Sequence, residues 1–237
     1  MRDLQSWSKV AFVIPCFNDA KALRNLIPTL PASSLKIIID DGSTEVDSIS
    51  DSSLAGMKSV KILRHFINLG QGAALETGFE HIRRYCPKIE FIFTFDADGQ
   101  HSISDAEAML GSMIKQPCEV ILGSRFLGRT GYGDFEGGLP KYLMLRFAAL
   151  ISQITLGMKL TDRHNGLRLL NRKALMAIHL VTSGYGHADE ILRKIKSSGL
   201  SYREFPVTIK YRVERLRPGQ SILSSVKIVF DRLWGGQ

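Results

Sequence analysis

The chain is short of cysteine, and its three, Cys16, Cys86 and Cys118, are scattered with neither a C-x-x-C pair nor metal-ligand spacing around them. A disulfide framework and a zinc site are thereby excluded, and the thiols read as reduced. No run approaches the ~20 apolar residues of a bilayer-spanning helix; the longest uncharged stretch near the middle, residues 147–158, falls well short of it. The N-terminal residues lead into a strand rather than a signal-peptide pattern, so a cytoplasmic chain is expected. Internal repeats and low-complexity runs are absent. The basic residues lack an interleaved aromatic ladder or RNA-binding signature, which argues against nucleic acid as a partner.

What remains is a chain of 237 residues, 44% of them hydrophobic, enough to bury a full core. The net charge of +8 is unevenly spread. Residues 159–237 hold 15 Lys and Arg against 6 Asp and Glu, whereas residues 1–158 are close to neutral. A basic last third suits a phosphorylated substrate or an anionic lipid surface.

From residue 10 to about 120 the pattern alternates strand and helix. Strands are expected at 10–14, 35–39, 60–63, 91–95 and 120–122, with helices at 20–29, 70–85 and 104–115 between them. The last helix opens on Ser104 with Glu107 three residues on, the pattern of a capping box. Such alternation specifies an α/β fold with a doubly wound, mostly parallel sheet and helices on both faces. Further on, an apolar helix is expected over 139–158, a helix over 186–197, a strand over 202–211 and a last amphipathic helix. Its apolar stripe runs through Ile222, Leu223, Val226, Val229, Phe230 and Leu233, and packs on the domain, a second subunit in a homodimer or a membrane surface.

Ligands of open α/β sheets bind beyond the carboxyl ends of the strands, so polar clusters there carry the functional reading. The fourth strand, Phe91 to Phe95, is uncharged and ends abruptly in Asp96-Ala97-Asp98-Gly99-Gln100. Residues i and i+2 of an extended chain point the same way, so Asp96, Asp98 and Gln100 can offer oxygens to one hard cation. The first strand ends in Pro15-Cys16-Phe17-Asn18-Asp19, and the second in Asp40-Asp41-Gly42-Ser43, a carboxylate pair suited to a base edge or ribose hydroxyls. After the third comes Asn68-Leu69-Gly70-Gln71-Gly72, whose glycines let backbone approach a ligand or a neighbouring strand. After the fifth stand Gly123-Ser124-Arg125 and a glycine-rich segment that suits a mobile loop. Arg168, two residues past Gly166 and near Asp162, suits a diphosphate. Asp189 and Glu190 open a helix, where carboxylates usually answer the helix dipole and one can serve instead as a general base.

Three other classes share parts of this pattern. An aspartate phosphatase also follows a strand with D-x-D, but needs Ser or Thr where Gln100 stands. A nicotinamide-dependent oxidoreductase is suggested by Gly70-x-Gly72, but Leu75 replaces the last glycine and the motif follows the third strand. A non-catalytic protein that only binds nucleotide-sugars is the third.

Read together, V-I-P-C-F-N, D-D-G-S, N-L-G-Q-G-A-A, D-A-D-G-Q, G-S-R-F, D-R-H-N-G-L-R and E-F-P-V occur in an order that resembles the family 2 glycosyltransferases of GT-A fold, especially the dolichyl- or polyprenyl-phosphate sugar transferases. The resemblance covers residues 10 to about 221 and implies one catalytic domain over 1–220, followed by the helix of 221–237. It implies a UDP- or GDP-sugar donor, Mg²⁺ or Mn²⁺, and inverting transfer to a polyprenyl phosphate or lipid-linked glycan in cell-envelope synthesis. Asp40 would read the base, with Pro15, Phe17, Asn18 and Asp41 around it and Gly70 and Gly72 nearby. Asp96 would lie by the ribose and diphosphate, Asp98 with Gln100 would hold the metal, and Arg125 and Arg168 would face phosphates. For a hydroxyl acceptor the implied base is Asp189 or Glu190, with Asp134 behind them. Asp19 stands where Glu is frequent in the family, and the Q-x-x-R-W signature of processive polysaccharide synthases is absent. Such transferases often carry membrane helices beyond the catalytic domain, so this chain is expected to meet a lipid acceptor peripherally.

Overall fold

A computed structural model describes residues 7–44, 59–127, 143, 157–184 and 186–209. The glycine-rich segment after Leu127 with Asp134, nearly all of the expected 139–158 helix, the end of the 202–211 strand and the last amphipathic helix lie outside the described residues.

The elements run β1 (Val10–Cys16), α1 (Ala20–Leu26), β2 (Leu35–Asp40), β3 (Val60–Arg64), α2 (Gln71–Tyr85), β4 (Phe91–Thr94), α3 (Ile103–Lys115), β5 (Val120–Ser124), β6 (Arg168–Asn171), α4 (Arg172–Ala177), α5 (His187–Ser197) and β7 (Tyr202–Pro206). They build one seven-stranded sheet in the order β3-β2-β1-β4-β6-β5-β7. Strands β1 to β4 pair in parallel, β5 and β7 run with them, and β6 alone is antiparallel, to β4 on one side and β5 on the other.

Alternation along β1 shows why both faces are covered. Val10, Phe12 and Ile14 join a core with α1 and α3, where Phe12 stacks on Phe93 at 5.1 Å. Ala11 and Val13 join the opposite core, with Phe79 and Ile82 of α2, Leu175 of α4 and Ile191 and Ile195 of α5. The central strands β1, β4 and β5 are buried on two faces, hence their uninterrupted apolar runs.

Local chemistry moves several boundaries. Helix α1 tightens into a 3₁₀ turn at Ile27–Thr29, where Pro28 has no N–H to continue the α pattern. The capping box expected at Ser104 does not form: α3 starts one residue earlier with Ser102 at its N-cap, and the two serine hydroxyls bond each other at 2.6 Å. Strand β6 and helix α4 are additions to the sequence reading. Asn171 both ends β6 and caps α4, accepting a hydrogen bond from the Ala174 N–H at 2.9 Å.

Two partly buried arginines clamp α2 against α4. Arg83 donates to Glu76, Glu80 and the carbonyls of Leu175 and Ile178, while Arg172 donates to the Arg83 carbonyl near the end of α2 and to those of Cys86 and Ile89 in the turn beyond. Among the described residues no helix is long and apolar enough to cross a membrane.

Candidate active site

Because β1 lies between β2 and β4, the chain leaves its carboxyl end in opposite directions, and a crevice opens there. A cavity of about 340 Å³ occupies it, lined by Pro15, Cys16, Phe17, Asp41, Asn68, Gly70, Gln71 and Gly184. That size is within the range of small-molecule sites, roughly 300–1,000 Å³.

At the end of β2, Asp40 is fully buried. One carboxylate oxygen accepts from the Ser43 N–H at 3.0 Å, and the other has no hydrogen-bond partner, with Arg64 Nε 3.6 Å away. Burying an unbonded carboxylate oxygen is costly, so this atom suits a donor that a ligand brings. Asp41 is differently engaged: it accepts from the N–H groups of Leu69 and Gly70 and pairs with His65 Nδ1 at 2.7 Å. It fixes the loop before α2 while one side of it lines the cavity. Asn18, at a positive φ of 50°, ties the first loop to the second through Ser43 and Thr44.

Beyond β4, Asp96 is held from both sides. Oδ1 accepts from Gln71 Nε2 at 3.0 Å and Oδ2 bonds His101 Nε2 at 3.1 Å, while the His101 ring rests edge-on against Phe95. The side chain stays 33% exposed to the crevice. Burial pushes its pKa up, but the His101 hydrogen bond and the charges of His101, Arg168 and His187 outweigh that and hold it below the ordinary carboxylate value. Gly166 lies against it so closely that a Cβ would come within 2.3 Å of Oδ2. Asp98 accepts from the Gln100 N–H at 3.0 Å in a turn that Gly99 closes at a φ of 71°.

Arg168 opens β6 and is 3% exposed. Because β6 is antiparallel, its first residue, rather than its last, reaches the carboxyl rim, opposite Thr94 of β4. Burial lowers its pKa and the charges of Asp96, Asp162 and Asp189 oppose that shift. Its guanidinium donates no hydrogen bond to the described residues, although it never loses its charge at ordinary pH. Asp189, also buried, accepts from Arg163 Nε at 2.7 Å.

Three expected site residues have other work here. Arg125 forms a two-point pair with Asp162, Nε to Oδ2 at 2.6 Å and Nη2 to Oδ1 at 2.7 Å, which ties the start of the loop after β5 to its end. Glu190 accepts from the N–H groups of Val181 and Thr182 at 2.8–3.1 Å and so holds the loop at 181–182. Gly72 packs closely on protein: a Cβ would meet the Thr182 carbonyl at 2.0 Å, and its N–H donates to the Ser183 carbonyl at 2.7 Å. The same carbonyl accepts from Ala73, so the N-terminus of α2 is not open to a pyrophosphate in the dinucleotide-binding manner.

The sequence reading gave no role to Gln71, His101, Arg163 or His187. Each stands inside a stretch already singled out, next to residues that were assigned. Glu204 of the E-F-P-V motif is another: it accepts from the N–H groups of Thr161 and Asp162, and thereby seats the carboxylate that holds Arg125. Its five-residue strand gives no sign of this until β7 is laid beside β5.

The acidic and amide oxygens of Asp96, Asp98 and Gln100 are the hard donor set that Mg²⁺ or Mn²⁺ prefers, and Asp96 is held ionised as a ligand must be. The residues therefore fit a divalent cation.

Over 94% of its length the chain is 29% identical to an uncharacterized protein of Methanocaldococcus jannaschii, covering 90% of that protein. It is 25% identical to the UDP-N-acetylglucosamine--dolichyl-phosphate N-acetylglucosaminyltransferase of Methanococcus voltae, over 94% of each chain. Its mixed, mostly parallel sheet is that of GT-A glycosyltransferases. Glucosyl-3-phosphoglycerate synthase from Mycobacterium tuberculosis, solved in complex with Mn²⁺ and uridine-diphosphate-glucose, superimposes with a TM-score of 0.67 at 14% identity, covering 96% of this chain and 78% of that one. The model of glycosyl transferase family 2 matches residues 11–178, most of the chain, and the protein belongs to that family.

Proposed function

We propose that this glycosyltransferase moves a sugar from a UDP- or GDP-sugar to a polyprenyl phosphate, with inversion at the anomeric carbon. The observation that carries the reading is the guanidinium of Arg168, buried beside Asp96 and hydrogen-bonded to none of the described residues. A cation and a metal-type carboxylate so placed suit a site with phosphate on both reacting partners. The chain's similarity to a dolichyl-phosphate sugar transferase supports the same acceptor class.

Base and ribose would lie in the cavity between Phe17 and Asp41, with the buried oxygen of Asp40 accepting an N–H of the base. Asp96, Asp98 and Gln100 would hold Mg²⁺ or Mn²⁺. When bound, the cation supplies positive charge to the departing diphosphate. Gln71 and His101 fix both oxygens of Asp96, so its carboxylate is oriented before substrate arrives. Arg168 would neutralise phosphate and aim it. In the displacement, the acceptor oxygen forms a bond to the anomeric carbon as the bond from that carbon to the diphosphate oxygen breaks.

A phosphate oxygen is already ionised at neutral pH and needs no base. A hydroxyl acceptor would need one, and of the two expected carboxylates Glu190 bonds backbone N–H groups while Asp189 is paired with Arg163 at 2.7 Å. This pairing favours the phosphate acceptor. The enzyme would work at the cytoplasmic face of a membrane, held peripherally with help from its basic last third.

Calorimetry with UDP- and GDP-sugars, with and without Mn²⁺, tests the donor half. Transfer of labelled sugar to a short polyprenyl phosphate, against the corresponding prenol, tests the acceptor. Equal transfer to both lipids would overturn the phosphate reading, and binding of donor without transfer to either would point to a non-catalytic relative.

A further inference from the structure

We infer that the loop between β3 and α2 inserts Phe66 and Ile67 into an anionic membrane surface and seats the enzyme there. The inference deepens the reading of a lipid-borne acceptor and rests on it for the choice of partner. Phe66 is fully exposed and Ile67 is 67% exposed, with Leu69 half exposed beside them. Single exposed apolar residues are ordinary, but here they are consecutive on a loop that the fold fixes firmly.

His65 donates its N–H to the Asp40 carbonyl, and its ring bridges Asp41 and Thr77. Asp41 receives the N–H groups of Leu69 and Gly70. Gly42 lies beneath the Ile67 backbone, where a Cβ would come within 2.3 Å of its carbonyl carbon. A loop secured at its ends and from below presents its two largest side chains to solvent, so little conformational freedom is lost when they are buried elsewhere.

Size and charge select the occupant. Two or three such side chains offer a few hundred Å², well under the ~800 Å² that each side of a stable protein complex buries. That area suits shallow insertion between lipid headgroups. Arg64, half exposed, immediately precedes the loop and places a cation where an anionic headgroup would lie. Asn68 and Gly70 of the same segment line the donor cavity, so a membrane met by Phe66 lies at the mouth of the site, where a lipid acceptor would enter.

The test uses the full chain with vesicles of phosphatidylcholine, alone and mixed with phosphatidylglycerol. Co-sedimentation with the mixed vesicles is expected, and Phe66→Ser with Ile67→Ser should weaken it by about tenfold or more. A Phe66→Trp variant, read as the difference from the parent spectrum, should shift its emission to the blue with mixed vesicles and be quenched by brominated acyl chains. Undiminished sedimentation of the double variant, or no blue shift, overturns the inference. So does a dimer in velocity sedimentation that the double variant abolishes, which would make the loop an interface between copies. Calorimetric binding of UDP- or GDP-sugar separates the two claims: its absence would defeat the donor reading and leave the docking loop standing.

Discussion

Replacing Asp98 by alanine removes a carboxylate from the turn after β4 without touching the buried strand that precedes it. Mn²⁺-dependent binding of nucleoside diphosphate is expected to be lost, while metal-free binding through the Asp40 pocket persists. Calorimetry in Mn²⁺ and in chelator distinguishes these, and identical isotherms for the variant and parent would remove Asp98 from the metal set. Arg168→Gln is expected to lower transfer by about a hundredfold, the scale of losing one preorganised charge-stabilising donor. Arg168→Lys should recover little of it, since an ammonium cannot reproduce the planar fork of a guanidinium. Steady-state rates on both variants decide the point.

At the level of elements, Glu190 gives the clearest contrast between expectation and structure. Glu190→Gln replaces one acceptor oxygen of a carboxylate that serves two backbone N–H groups at the start of the 181–184 loop. Unfolding stability should fall by about 1–3 kcal/mol with turnover at low temperature largely retained, as urea titration and rate measurements would show. A helix-opening acidic pair looks the same in sequence whether it meets solvent, substrate or a loop. Only the packing of α5 against that loop separates Asp189 from Glu190. Strands β1, β4 and β5 were legible because each is a continuous uncharged run, mostly apolar, bounded by turn residues. Strand β6 was not: Arg168-Leu169-Leu170-Asn171 is four residues with no alternation, and its sheet partners are far away in sequence. The glycines of the 70–72 segment were visible, but the carbonyls that require them belong to residues 182–183. Asp96, Asp98 and Gln100 were legible as a polar cluster at a strand end, although β4 ends at Thr94 and residues 97–99 turn, with Gly99 at a φ of 71°, so the i, i+2 geometry of an extended chain does not set their directions. The partners that orient Asp96 were not, because Gln71 comes from another loop.

For the whole molecule, the buried and paired carboxylates set the acid limit. Hydrogen bonds from the Ser201 hydroxyl and N–H, with Lys173, hold Glu119 at about 2, far below its ordinary 4.5. A depressed folded pKa adds stability that is complete above the ordinary value and is lost as pH falls through the folded one. Asp96 and Asp162 have the same sign; burial pushes each up, but the paired charges and hydrogen bonds prevail. Glu204 has the opposite sign, since burial raises it, and its contribution is lost as pH rises through its folded value. With Glu80 and Glu190 also lowered, five carboxylates against one predict that stability declines from about pH 4.5 towards 2. Urea midpoints measured across that range would show it, and a Glu119→Gln variant should flatten part of the slope.

The chain leaves the sheet after Ser124 and returns at Leu167, and the two ends are tied: Gly123 donates its N–H to the Leu167 carbonyl at 2.9 Å, and Arg125 grips Asp162. An excursion that begins and ends at one point behaves as an exchangeable cassette. Its length and content can change at little entropic cost to the sheet, because closing a longer loop costs only about 0.6 kcal/mol per doubling. The proposed donor site, at the ends of β1, β2 and β4, stays outside the excursion, while Arg168 stands at its exit. Exchanging residues 127–157 for another relative's segment, with the buried Phe126, Met158 and Leu160 kept, would therefore test whether acceptor choice resides in the excursion while donor binding is retained.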